Sequence, residues 1–367
     1  EMTPDETTNH SIIDALIREN RSFALWRIPG ESPRFAMQTS GSARLLYNIE
    51  ELDGQSGFVI APFHVSEQHP IVLIRPDTTV LPQAWQTSAN GMARPCHGHG
   101  KPLPTAWQNK EDYTRRFNIF IEPLRKKAFD KLVLSRHQVM DGQSPTFSPA
   151  ATFYKAVRRY RYSYVYLCHT PETGTWLGCT PEIILSGEKG EWHTVALAGT
   201  QPLQGGELPT EWDGKNREEQ EYVAFYIRKQ LQALGITPAE TAPSPVRAGE
   251  LAHLKSDFSF SLPDNKQLGL LLKRLHPTPA VCGLPKEETY RFIRENEGYD
   301  RSYYSGFIGL LAPEGRSDLY VNLRCMNILA DTLVLYAGGG ILASSEPESE
   351  WLETEAKMQT MKRLLDS

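Results

Sequence analysis

The stretch SYVYLCHTPETGTWLGCTPEIILSGEKGEWHTVA, residues 163–196, decides the fold class. It holds four short runs, Ser163–Cys168, Thr175–Cys179, Glu182–Ser186 and Trp192–Ala196, rich in the β-branched and aromatic residues that suit a pleated surface. Turns bearing proline or glycine separate them, so strand follows strand. The same pattern continues outward. Strands are expected at Ser22–Arg27, Arg34–Met37, Ala43–Tyr47, Gly57–Ala61 and Lys131–Arg136, and again at Ser305–Leu311, Ser317–Ile328 and Thr332–Ala337. Consecutive strands outnumber helices, which points to an α+β fold of large, mostly antiparallel sheets flanked by helices rather than to βαβ alternation.

Helices are expected at Ser11–Arg18, Tyr113–Phe129, Ser148–Tyr160, Asn216–Leu234, Lys266–Leu275, Lys286–Glu295 and Pro347–Leu365. In the second of these, Phe117, Phe120, Ile121, Leu124 and Phe129 keep close to a 3.6-residue period, and Pro123 predicts a kink. Leu81–Thr105, dense in proline and glycine, reads as a loop.

The chain has 367 residues, 44 acidic and 39 basic, for a formal charge of −5. No basic surplus marks a nucleic-acid partner. The longest largely apolar run, Leu333–Ala343, falls short of the ~20 residues of a membrane span. The opening residues are polar and acidic, unlike a secretion signal, and five scattered cysteines suit a reducing compartment. A cytoplasmic protein, monomeric and without membrane or nucleic-acid partners, is the expectation.

Familiar cofactor fingerprints are missing: there is no Walker A loop and no G-x-G-x-x-G. Gly338-Gly339-Gly340 follows a strand but leads to Ile341-Leu342-Ala343 rather than straight to a helix, so the triplet reads as close backbone approach, with strand-end N–H groups available to a carboxylate. Cys96-His97-Gly98-His99 matches no standard zinc spacing. The last helix opens with Glu346-Pro347-Glu348, ordinary helix-start chemistry. Glu350, Glu353 and Lys357 share one face by their spacing, and Asn216 and Glu219 share one face of the earlier helix. If those helices face each other, Glu219 and Glu353 could clamp a hard divalent ion, but acidic helix starts are common and the spacing by itself favours that ordinary reading.

Ten ordered motifs resemble the chorismate-utilising enzymes. They are KLVLSR at 131–136, TPE at 180–182, ALAGT at 196–200, KNREEQ at 215–220 and AHL at 252–254. LHPTPAVCGLP at 275–285, DRSYYSG at 300–306, NLR at 322–324, YAGGGI at 336–341 and EPESEWLETEAK at 346–357 complete the set. The resemblance implies the chorismate-binding fold of anthranilate synthase component I, with residues 109–367 as catalytic core and 1–108 as a divergent part of the same fold. Within the family the chain looks most like the isochorismate synthases. Ala198 stands where aminodeoxychorismate synthases carry a nucleophilic lysine, Lys131 is shared with isochorismate and salicylate synthases, and Ala280 replaces the threonine of salicylate synthases.

The implied reaction is the reversible, Mg2+-dependent conversion of chorismate to isochorismate, in menaquinone or siderophore biosynthesis. Lys131 would activate water as general base and Glu182 would protonate the leaving hydroxyl. Glu219 and Glu353 would hold Mg2+, with Glu350 acting through water and Asn216 in the outer shell. Arg324 and Tyr304, with the backbone of Gly338, Gly339 and Gly340, would take the pyruvyl carboxylate. His253 would sit near the leaving hydroxyl, and Ala198, Gly199, Thr200, Ala280 and Lys357 would line the substrate. No glutamine amidotransferase subunit is expected. Two positions depart from the family: Asn216 replaces an acid and Gln220 a histidine, which predicts weaker metal affinity. The alternatives are a salicylate synthase and a catalytically silent chorismate-binding protein.

Overall fold

The computed structural model describes residues 4–83, 109–141 and 147–366. Two antiparallel sheets lie face to face. The first has eight strands in the order Gly283–Leu284, Lys131–Asp141, Thr332–Ile341, Cys325–Ile328, Gly174–Thr180, Tyr164–Thr170, Ser22–Arg27, Arg34–Gln38. The second runs Ala239–Glu240, Leu251–Ser261, Glu191–Pro202, Ile183–Glu188, Ser317–Val321, Phe307–Leu311, Gly57–Ala61, Ile71–Ile74, Arg44–Leu46, with Ser244–Ala248 beside Leu251–Ser261. Residues before 84 thus enter both sheets.

Alternation along each strand builds the layers. In Ser22–Arg27, Ala24 and Trp26 face the second sheet, while Phe23 and Leu25 face the helices Pro4–Arg18, Pro149–Arg159 and Pro347–Leu365. In Gly57–Ala61, Phe58 and Ile60 face the first sheet; Val59 and Ala61 join the apolar cluster that includes Val223 and Ile227 of helix Gly214–Ala233 and Leu272 of helix Leu268–Leu275. Between the sheets Trp176, Tyr336 and Tyr304 stack in sequence, with ring centroids 5.7 and 5.0 Å apart. Helices Lys110–Arg125 and Lys286–Asn296 cover the Lys131 end of the first sheet.

Several expectations change. The strand expected over Ser317–Ile328 is two strands in different sheets, because the chain crosses over at Asn322–Arg324, where Arg324 has φ +49°. The last strand does not end before the glycines but continues to Ile341, pairing Gly338, Gly339 and Gly340 with Ser135, Leu134 and Val133. The helix carrying Pro123 stops at Arg125, before the expected Phe129. Ile71–Ile74, Ser244–Ala248 and Leu251–Ser261 are strands that the motif reading passed over. Most of the expected loop, with Cys96-His97-Gly98-His99, lies outside the described residues. Among the described residues, no helix is long and apolar enough to cross a membrane.

Candidate active site

Two of the chain's passages between the sheets lie at neighbouring points, and both carry site residues. At Thr180-Pro181-Glu182 it leaves the first sheet; at Asn322-Leu323-Arg324 it returns. The crossings are laced together: Val321 N–H donates to Glu182 O at 2.9 Å, the Thr180 hydroxyl to Val321 O at 2.6 Å, and Cys179 N–H to Arg324 O at 3.0 Å. A cleft opens between them, lined by Glu182, Ala198, Gly199, Thr200, Glu219, His253, Ala280, Tyr304, Arg324, Gly338, Gly340 and Lys357 among others.

Glu182 is 1% exposed, and neither carboxyl oxygen has a hydrogen-bond partner. Burial pushes the carboxyl up to about 8 against the pull of Lys131 and Lys357. Lys131 is wholly buried. Its Nζ lies 3.0 Å from Glu219 Oε1, within ion-pair reach but not aligned as a hydrogen bond. Burial pulls the Lys131 ammonium down and Glu219 opposes it.

Arg324 is a buried guanidinium that pairs with no carboxylate among the described residues. Burial brings it down to about 10. One Nη donates to Ala248 O at 2.9 Å and the other contacts His253 Nε2. His253 Nδ1 lies 2.8 Å from Gly199 O, which only accepts, so Nδ1 carries the proton and Nε2 accepts from Arg324. Burial, then Arg324 and Lys357, hold His253 well below its ordinary range, in the neutral form. His253 therefore orients Arg324.

Glycines admit the acidic cluster. A Cβ on Gly340 would lie 2.2 Å from Glu219 Oε1 and 2.6 Å from Lys131 Cε. One on Gly339 would lie 3.1 Å from Glu353 Oε1 and 3.2 Å from Glu350 Oε2. One on Gly338 would lie 2.8 Å from the Tyr304 hydroxyl. Carboxylates from two helices thus reach the same glycine strand, where lysines meet them. Lys215 Nζ stands 3.3 Å from Glu219 Oε2 and 3.2 Å from Glu350 Oε1. Lys357 Nζ donates to Glu353 Oε1 and to Gly338 O, both at 2.8 Å. Burial alone would raise Glu219, but Lys131, Lys215 and Lys357 outweigh it and keep the carboxylate ionised. Glu350 is raised by burial and by Glu353 beside it.

A sequence profile described as chorismate binding enzyme matches residues 74–366. The chain belongs to the chorismate-binding enzyme family. It is 32% identical over 285 residues to the isochorismate synthase MenF of Escherichia coli strain K12, covering 72% of this chain and 64% of that protein, so the match spans less than two thirds of its relative. The solved structure of the menaquinone-specific isochorismate synthase MenF from Escherichia coli superposes with TM-score 0.77 at 22% identity, over 100% of this chain and 92% of the other. Anthranilate synthase component I from Streptococcus pneumoniae gives 0.60 at 16%, over 94% and 91%. The fold is the chorismate-binding fold.

Against the positions expected from the family, the structure gathers Glu182, Ala198, Gly199, Thr200, Glu219, His253, Ala280, Tyr304, Arg324, Gly338, Gly340 and Lys357 around one cleft. Lys131, Gly339, Glu350 and Glu353 stand next to this cleft, on the glycine strand or in contact with it or with Glu219. Asn216 is engaged elsewhere: its Oδ1 accepts from Thr200 N–H at 2.9 Å, and its amide donates to Asp213, the helix cap. It shapes the bulge at Gly199, whose φ is +82°. Gln220 donates to Ser256 Oγ at 2.9 Å. Among the described residues, no three His, Cys, Asp or Glu side chains stand close enough to hold a metal ion as they lie. The oxygen donors nonetheless suit a hard divalent ion in kind, and Glu350 Oε2 is buried without a partner. Sequence reasoning missed Lys215, although its i,i+4 spacing to Glu219 is an ion-pair signal.

Proposed function

We propose that this enzyme interconverts chorismate and isochorismate: water adds to ring carbon 2, the ring double bonds shift, and the carbon-4 hydroxyl departs as water. The observation that carries this reading is Glu182, a sealed, unpartnered carboxyl facing the cleft, which holds its proton up to about 8. A carboxylic acid kept neutral at physiological pH is a proton donor, and hydroxide cannot leave without one. Lys131 takes the proton from the attacking water; burial favours the neutral amine this requires. Arg324, oriented by His253, receives one substrate carboxylate as a charge-assisted pair. Ala198 offers no amine for covalent attack, and Ala280 no hydroxyl.

The second carboxylate of the substrate dianion also needs a cation. Glu219 and Glu353, with Glu350 beside them, are the residues that would hold Mg2+ once the Lys215 ammonium withdraws. The bound ion would neutralise that carboxylate and draw electron density from the ring. Incubation with chorismate and Mg2+, followed by chromatography, tests the proposal. Isochorismate is the expected product. Fluorescent salicylate would assign a pyruvate-eliminating enzyme instead, and chorismate recovered intact would leave a binding protein.

A further inference from the structure

One buried side chain outside the cleft touches three of its walls, two through backbone carbonyls and one through a serine hydroxyl. Arg301 is 2% exposed, and each of its five N–H groups has an acceptor. Nε donates to Glu297 Oε1 at 2.6 Å and Nη2 to Glu297 Oε2 at 2.7 Å. Nη2 also donates to Val133 O at 3.2 Å, and Nη1 to Val281 O at 2.6 Å and Ser305 Oγ at 3.4 Å. Glu297 Oε2 in turn accepts from Ser135 N–H at 2.9 Å. The guanidinium lies 4.4 Å over the Phe63 ring.

These contacts reach a particular set of elements. Val133 lines the cleft two residues beyond Lys131 on the same strand. Val281 and its neighbour Ala280 line it from the segment after the Leu268–Leu275 helix. Ser305 follows Tyr304, which lines it from the sheet side. The turn that carries Arg301 is strained, with Ser302 at φ +55° and Ser305 at φ +64°. Such conformations persist in non-glycine residues where the surroundings over-determine them. A buried ion pair is weak evidence for stability alone, so the fork needs another reason to be there.

We propose that Arg301, braced by Glu297, is a positioning residue: its fork sets the Lys131 strand, the Ala280–Val281 segment and the Tyr304 turn at fixed spacing around the substrate. This rests on the reading of the cleft as the place of isochorismate formation. Lysine can match the charge of Glu297, but its three donors from one nitrogen cannot span the same carbonyls.

The test compares wild type with Arg301→Lys, measuring melting temperature, amide hydrogen exchange without substrate, and kcat and KM for chorismate. Arg301→Lys is expected to stay folded and to exchange faster at 131–135, 280–284 and 302–306. Its kcat should fall ~10- to 100-fold with KM within about threefold, the scale of a small misplacement of reacting groups. Unchanged exchange of Arg301→Lys in those segments overturns the proposal whether or not wild type makes isochorismate, whereas faster exchange in the variant beside a wild type that makes no isochorismate overturns only the functional reading. A kcat equal to wild type also overturns it. Should Arg301→Lys not fold, Arg301→Met with Glu297→Met removes the pair without stranding a charge; wild-type turnover in that double variant rejects positioning, and the same drop in kcat at retained KM supports it.

Discussion

Glu182 and Lys131 must be found in opposite protonation states from their ordinary ones, and the same burial serves both. A sealed site disfavours charge, so the carboxyl keeps its proton and the amine tends to lose it. Lys131→Ala and Glu182→Gln are each expected to lower kcat at least ~100-fold, read by steady-state kinetics. Lys215 poses a different question. Its ammonium sits between Glu219 and Glu350, and a divalent ion bound there as proposed would have to displace it. Lys215→Met is expected to bind Mg2+ more tightly than wild type in calorimetry without substrate. Adding a charge at Asn216, by contrast, brings a carboxylate against Asp213, where the Asn216 amide now donates at 3.1 Å. Asn216→Asp is therefore expected to lower Tm by ~1–3 °C, measured by scanning calorimetry. The sequence motifs reveal which residues meet at the cleft, but not that Asn216 is occupied by Thr200, because a hydrogen-bond partner sixteen residues away leaves no spacing signal.

At the scale of elements, the glycine strand makes room for the acidic cluster. Gly340→Ala would drive a methyl group into Glu219 and the Lys131 stem. Overpacking of this kind costs ~1–3 kcal/mol, so denaturant titration should show that loss together with lost turnover. The glycine triplet was legible as a place of close approach; its position inside a strand was not, since glycine is a poor strand former. The crossover at Asn322–Arg324 was equally hidden. Residues on both sides are buried and apolar, and only the left-handed Arg324 separates two strands that read as one. Leu251–Ser261 could have been found: Leu254, Phe258 and Phe260 alternate with the half-buried Lys255, Asp257 and Ser259.

For the whole molecule, stacking two sheets buries both faces of most strands. That explains why Ile71–Ile74 shows no period and escaped notice, while the α+β class was plain from the number of consecutive strands. The aromatic layer between the sheets is almost wholly buried. Trp176→Ala is expected to cost ~3–5 kcal/mol in denaturant unfolding. Glu182 acts on stability too. Its folded pKa lies above its ordinary 4.5, so the folded state binds the proton more tightly than the unfolded chain. That contribution is complete below 4.5 and is lost as pH rises toward about 8. Glu182→Gln should gain Tm relative to wild type as pH goes from about 5 to about 8.

The pH profile of kcat for chorismate conversion, in wild type and Glu182→Gln, bears most directly on a buried neutral acid driving hydroxide departure. Wild type should lose activity as pH rises through about 8, and the residual activity of Glu182→Gln should lack that alkaline limb. A wild-type rate that holds level through that range, or a variant that keeps both the rate and the limb, would contradict the role of Glu182.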